Sequence, residues 1–173
     1  VLRYGNVMGS RGSVIPFFLS LKNNNKMLTV TDKDMTRFSL TLSEGINFAI
    51  KTLKMMIGGE LFVPKIPSYK ITELVIAISG NNKFTTIGLR PGEKTHEDLI
   101  SSSDALYTFE TKDFYIIRPN ILVAPWNDGE FKKYNKLGQL KYCKKNFSYS
   151  SNNNKKFLSS KELKTLIDKN IKI

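Results

Sequence analysis

At 173 residues, 40% hydrophobic and 11% aromatic, the chain is long and apolar enough to bury a core, which excludes disorder as the reading for most of it. A single cysteine, Cys143, excludes an internal disulfide, the lone His96 excludes most zinc constellations, and no apolar run reaches bilayer length, so a soluble, metal-free protein of a reducing, cytoplasmic compartment is expected. The net charge of +12 admits a nucleic-acid-binding face, drift toward lysine and asparagine as in Asn152–Lys156, or an anionic small molecule, which would account for only a few arginines.

In chain order, Val1–Tyr4 reads as a strand, and its abrupt start without an initiator Met leads to the expectation that something precedes it. The stretch from Arg3 to Phe18 then gathers Gly5, Gly9, Gly12, Asn6, Arg11, Ser10 and Ser13, a composition suited to a loop that grips a polar, phosphorylated ligand. Val14, Phe17, Phe18 and Leu21 have helical spacing, with Ser13 as N-cap and Pro16 in the first turn. Arg11 and Gly12 are thereby delivered to a helix N-terminus, an anion site, although glycines used only for turning would leave the same pattern.

Met27–Thr31 is β-prone, and Met35-Thr36-Arg37-Phe38 sets an arginine among hydrophobes, either snorkelling at the surface or aimed into a cleft. Thr41-Leu42-Ser43-Glu44 is a capping box, and Ile46, Ala49, Ile50, Leu53 and Ile57 are expected to form the inward face of the helix, which Gly58-Gly59 stops. Glu60–Val63 reads as a strand, Pro64–Pro67 as an extended connector, Ser68–Ser79 as a helix ending at Gly80, and Phe84–Leu89 as a strand. Strands exchanging with short helices indicate an α/β or α+β arrangement.

Arg90-Pro91-Gly92-Glu93-Lys94-Thr95-His96-Glu97 follows at once. Its Pro-Gly turn projects Arg90 and Glu93 together, which suits a nucleotide diphosphate: guanidinium on phosphate oxygens, carboxylate on ribose hydroxyls. His96 is open to a general-base or a structural reading. Ala105–Phe109 and Phe114–Ile117 have strand character. The lysine- and aromatic-bearing run from Phe131 to Phe147 reads as a solvated extension or a single-strand-binding surface. Ser159-Ser160-Lys161-Glu162 caps a final helix with Leu163, Leu166 and Ile167 on its docking face.

Taken together, the loop Arg3–Pro16, Met35–Phe38, Phe62–Ser68 and Arg90–Glu97 occur in an order and at a spacing that resemble the inverting UDP-N-acetylglucosamine 4,6-dehydratases, extended short-chain dehydrogenase/reductases of the pseudaminic acid and capsular polysaccharide pathways. The tail, Phe147–Asn152 and Phe157–Leu163, is similar to that of the capsular members. Thr95 departs from the larger apolar residue usual there.

The resemblance implies an α/β chain that is the C-terminal, substrate-binding part of such an enzyme. Residues 1–118 would hold the end of the Rossmann sheet and the sugar-nucleotide region, and residues 119–173 a C-terminal extension. The glycine-rich fingerprint for NADP and the catalytic Tyr-x-x-x-Lys pair are expected before Val1. It also implies Asn6 on the substrate diphosphate or sugar, Val7 beside the nicotinamide, Arg11, Gly12, Ser13, Val14 and Ile15 on the substrate, and Thr29 near the uridine. Arg37 would reach the phosphates, and Arg90 with Glu93 the diphosphate and ribose. The implied partner is a UDP-sugar, with no nucleic acid and no membrane, in a homo-oligomeric full-length enzyme. The implied reaction oxidises C4 with NADP, eliminates water across C5 and C6, and returns the hydride to C6 with inversion at C5. A related 4-epimerase or a retaining dehydratase would use similar arginines, and a basic nucleic-acid-binding module is the reading from another class.

Overall fold

A computed structural model describes residues 1–119 and 141–171 as an α/β chain, so the Phe131–Tyr134 part of the basic aromatic run lies outside the described residues. In chain order come α1 (Val14–Asn23), β1 (Thr29–Val30), β2 (Thr36–Phe38), α2 (Leu42–Met55), β3 (Leu61–Pro64), β4 (Ser68–Lys70) and α3 (Ile71–Ser79). They are followed by β5 (Thr85–Thr86), β6 (Asp98–Ile100), a 3-10 turn (Asp104–Tyr107), β7 (Thr108–Glu110), β8 (Phe114–Ile117), β9 (Lys141–Tyr142), β10 (Tyr149–Ser150) and α4 (Ser160–Asn170). The chain interleaves two compact units: Val1–Tyr4, Ser43–Lys65 and Asp98–Ser150 form one, and Gly5–Leu42, Ile66–Glu97 and Ser151–Ile173 the other.

The second unit is built on α3, whose Leu74 and Val75 are fully buried against α1 and α4. Phe18, Val30, Met35, Leu163 and Ile167 complete this core. The expected helix Ser68–Ser79 starts later than its pattern suggests, because Ser68–Lys70 is a strand paired antiparallel to β2, with Arg37 opposite Tyr69. Backbone bonds from Ser68 to Lys156 (2.8 Å) and from Leu158 to Ser68 (2.8 Å) hold that residue extended, so tertiary pairing overrides the helical period. Phe84–Leu89 contracts to the two-residue β5, parallel to β1. Gly80 ends α3 in the left-handed region at φ 79°, and Ser159 with Glu162 forms the capping box of α4, as the sequence indicates.

In the first unit a sheet runs in the order β3-β8-β7-β9. Leu2 joins β3 by one parallel bridge to Phe62, where the sequence suggests a strand over Val1–Tyr4. The region Ala105–Phe109 begins as a 3-10 turn and becomes β7 only at Thr108. Most of the expected inward face of α2 points outward, Ile46 and Ile50 being about half exposed and Leu53 70% exposed, whereas Ile57, just past the helix end, packs against the Phe62 cluster. Gly45, Phe48, Thr52 and Met55 turn inward instead, Phe48 packing edge-on to Phe114 at 5.9 Å and Met55 joining the Phe62–Ile116 cluster. Both faces carry the same helical period. Thr52 tolerates burial because its hydroxyl bonds the carbonyls of Phe48 (2.9 Å) and Ala49 (3.0 Å). Among the described residues no helix is long and apolar enough to cross a membrane.

Arg3, one of the two arginines of the opening stretch, is spent within this unit, donating to Leu99 O (3.0 Å) and Asp104 Oδ2 (3.0 Å). Burial raises the Asp104 carboxyl, but the bonds from Arg3 and Ser101 outweigh it and hold the group below its usual range. A carboxyl lowered in the folded state stabilises above its unfolded value of about 4 and stops doing so as pH falls through the folded one. Asp104→Asn should therefore lower stability at pH 7 by no more than about 1 kcal/mol, since the pair is partly exposed. Thermal melts at pH 7 and pH 3 check this: the gap from the parent closes in acid, and an equal gap at both would contradict it.

Candidate functional site

The glycine-rich loop enters α1 by two consecutive turns, Ser10 N–H to Val7 O (3.2 Å) and Ser13 N–H to Ser10 O (3.0 Å). Gly9 and Gly12 both sit at φ 76°, a conformation other residues adopt only at a cost of about 1–2 kcal/mol. Ser13 stands at the N-cap position but makes no capping bond; its hydroxyl is a buried oxygen without a hydrogen-bond partner. The first N–H groups of α1 have no acceptor within the helix, so this end offers donors and a partial positive charge.

Two neighbouring residues of β2 fasten the segment after the Pro-Gly turn. The Arg37 side chain is 13% exposed. It donates through Nη1 to Thr36 O (2.8 Å) and Thr95 O (3.0 Å), and through Nη2 to Lys94 O (2.9 Å), with Nε 3.4 Å from the Glu97 carboxylate. Of the five N–H donors a guanidinium carries, one on Nη2 remains for a ligand. Arg37 is thus neither a snorkelling surface residue nor a free fork. Arg90, by contrast, is exposed on the turn, and Glu93 closes that turn by accepting from Arg90 N–H (3.2 Å) and from the Thr31 hydroxyl (3.2 Å).

These pieces surround one cavity of about 610 Å³ inside the second unit, in the size range of small-molecule sites. Asn6, Val7, Gly12, Ser13, Val14, Ile15, Thr29, Arg37, Arg90 and Glu93 all line it. Arg11 is exposed and is not among the lining residues, because the left-handed turn at Gly12 intervenes before the helix. Its apolar lining includes Met8, Phe18, Val30, Met35 and Ile87, and its polar lining Ser13, Thr31, Arg37, Arg90 and Glu93.

Tyr69 also lines the cavity and went unrecognised in the sequence, where it falls inside the apparent helix. As the cross-strand partner of Arg37 it shares that residue's face of the ribbon. Burial, partly offset by Arg37 and reinforced by Glu97, pushes its phenol up to about 12, so it remains a neutral donor at physiological pH. The Pro67-Ser68 start of an extended segment was the signal available for it. Thr31 carried no such signal. Among the described residues no cluster of His, Cys, Asp and Glu is placed to hold a metal ion.

A family model described as polysaccharide biosynthesis protein matches residues 1–119. The chain is 46% identical over 170 residues to a UDP-N-acetylglucosamine 4,6-dehydratase (inverting) of Campylobacter jejuni, covering 97% of this chain and 50% of that protein. It is 36% identical over 171 residues to a UDP-glucose 4-epimerase of Rickettsia canadensis, covering 48% of it. The X-ray structure of Pen from Bacillus thuringiensis superimposes with a TM-score of 0.76 at 35% identity, over 97% of this chain and 48% of that one. The chain spans about half the length of the curated relatives it matches.

Gly5, which precedes the lining residue Asn6, makes a close approach to β2: an added Cβ would lie 2.5 Å from Cβ of the fully buried Phe38. Gly5→Ala should destabilise the fold by about 1–3 kcal/mol, since neither backbone can yield without disturbing β2. Urea unfolding checks this, and a midpoint equal to the parent's would contradict the packing.

Proposed function

This chain belongs to the polysaccharide biosynthesis protein family, and on that premise we propose that it is the sugar-nucleotide-binding half of an inverting UDP-N-acetylglucosamine 4,6-dehydratase, built as an extended short-chain dehydrogenase/reductase for surface-glycan or nonulosonic acid synthesis. The observation that carries the reading is the cavity, whose lining combines an uncapped helix N-terminus, an exposed arginine and a carboxylate with apolar side chains. A UDP-sugar presents a diphosphate, a ribose diol and a flat base in the same combination. The higher identity to the dehydratase than to the epimerase favours dehydration over epimerisation.

In this reading Arg90 takes diphosphate oxygens bidentately, assisted by the N–H groups that open α1, the Ser13 hydroxyl and the last Nη2 hydrogen of Arg37. Glu93 has lone pairs left after its two internal bonds and accepts the ribose hydroxyls. Asn6 addresses the diphosphate or sugar, Val14 and Ile15 flank it, and Thr29 lies on the uridine side. Tyr69 adds a neutral donor to the same cavity. Arg11, outside the lining, contributes only long-range charge. Residues 1–118 carry the end of the Rossmann sheet with the sugar-nucleotide region, and 119–173 the C-terminal extension.

The cofactor touches little of this chain. Val7 presents an aliphatic edge to the cavity, which fits one face of a nicotinamide. NADP, when bound, would supply a hydride acceptor and donor. No proton-transfer role falls to a residue of this chain, whose part is binding and orientation. The outward stripe Leu42, Ile46, Ile50 and Leu53 on α2 supports the same division, since burying each against the remainder of the enzyme would contribute about 1.5–3 kcal/mol. That remainder would also bring the homo-oligomer interface.

The test is dehydration of UDP-N-acetylglucosamine by the 173-residue chain and by the full-length enzyme, each with Arg90→Ala. The chain alone should be inactive and bind UDP weakly, and Arg90→Ala should weaken UDP binding about tenfold to a hundredfold, the cost of a charge-assisted bond. Turnover by the chain alone, or UDP affinity untouched by Arg90→Ala, would overturn the reading.

A further inference from the structure

The residues that grip the 94–97 segment include three polar side chains that the ligand reading leaves unused. The Thr36 hydroxyl lies 2.8 Å from His96 Nδ1 and 2.7 Å from Ser151 Oγ. Ser151 Oγ lies 3.1 Å from Thr36 O and accepts from Glu97 N–H (2.9 Å), and Ser151 returns its own N–H to Glu97 O (2.8 Å). Thr36 N–H donates to Thr95 O (3.1 Å). Thr36 and Ser151 are both buried, so every hydrogen must be accounted for.

The network closes in either of two ways. If the Ser151 hydroxyl donates to Thr36 O, Thr36 donates to Ser151 Oγ and His96 Nδ1 donates to Thr36; if Ser151 donates to Thr36 Oγ1 across the shorter 2.7 Å contact, Thr36 donates to Nδ1 and the imidazole proton sits on Nε2. In both, the three side chains are joined and each hydroxyl hydrogen is used.

We propose that Thr36, His96 and Ser151 are positioning residues which, with Arg37 on the alternate face of β2, clamp residues 94–97 and so fix the Arg90–Glu93 turn at the cavity mouth. A strand alternates its side chains, so adjacent residues of β2 grip the segment from two sides: Arg37 through its carbonyls, Thr36 through His96 and Ser151. Ser151 belongs to the C-terminal segment, which also reaches β4 through Asn154 Nδ2, 2.7 Å from Ile66 O and 2.9 Å from Ser68 Oγ. The C-terminal segment thereby sets ligand affinity without lining the cavity. The clamp stands on geometry alone; its effect on UDP rests on the sugar-nucleotide reading above.

The deciding experiment compares Thr36→Val, which keeps the shape and removes the hydroxyl, with Thr36→Ser, which restores it. Amide exchange and the His96 ¹⁵N shifts are read without ligand, and Kd for UDP by titration of the same chain. Expected in Thr36→Val are His96 ¹⁵N shifts displaced from the parent's, faster exchange at 95–97 and a Kd raised about tenfold, all recovered in Thr36→Ser. Unchanged exchange at 95–97 in Thr36→Val would overturn the clamp. Faster exchange with unchanged Kd would overturn its role in affinity. A parent that binds no UDP would sink the sugar-nucleotide reading while the exchange data still decide the clamp. Should Thr36→Val not fold, His96→Ala at a half-buried site gives the amide-exchange and Kd readouts with the same expected directions.

Discussion

The candidate site depends on one guanidinium. Arg37, half-buried on β2, holds the carbonyls of Lys94 and Thr95 and faces the Glu97 carboxylate, and through them it anchors the exposed turn before them. A charge partly withdrawn from water is stable there when its donors are satisfied, and backbone carbonyls with one carboxylate provide that. The consequence is a division of labour between two arginines. Arg37 spends its donors on architecture, and Arg90 on the turn keeps its own for a ligand.

The same logic runs through the opening loop. Left-handed glycines at positions 9 and 12 bring the chain into α1 at an angle that leaves the helix uncapped and the Ser13 hydroxyl buried without a partner. An unsatisfied polar group at such a place costs about 1–3 kcal/mol, which a ligand oxygen would offset. The cavity uses two arginines in all, so a small anionic ligand explains little of the +12 charge, and the lysines answer to something else.

How much of this was legible in the sequence differs by element. The α/β class, the bodies of α1 and α3, the glycine stop of α3 and the capping box of α4 were readable because period and breakers agree there. The buried face of α2 was not, because the helix carries two apolar faces and only packing against Phe62 and Phe114 selects Phe48 and Met55 over Ile46, Ile50 and Leu53. Tyr69 was hidden for a related reason: β4 runs straight into α3, and a strand of three residues leaves no period to detect. The site residues named from the resemblance gather around one cavity except Arg11, which is exposed outside its lining. Ser151 lay beyond any local pattern, since its partners are 54 and 115 residues away.

The central claim is that the loop into α1 and the Arg90–Glu93 turn form a single sugar-nucleotide site. A UDP titration followed by ¹⁵N NMR tests it most directly. Shifts should appear together, on one saturation curve, at the Gly12 and Val14 amides, at Glu93 and on the Arg90 side chain, with the first unit unaffected. Shifts confined to the lysine-rich tail, or loop and turn responding with different affinities, would contradict it.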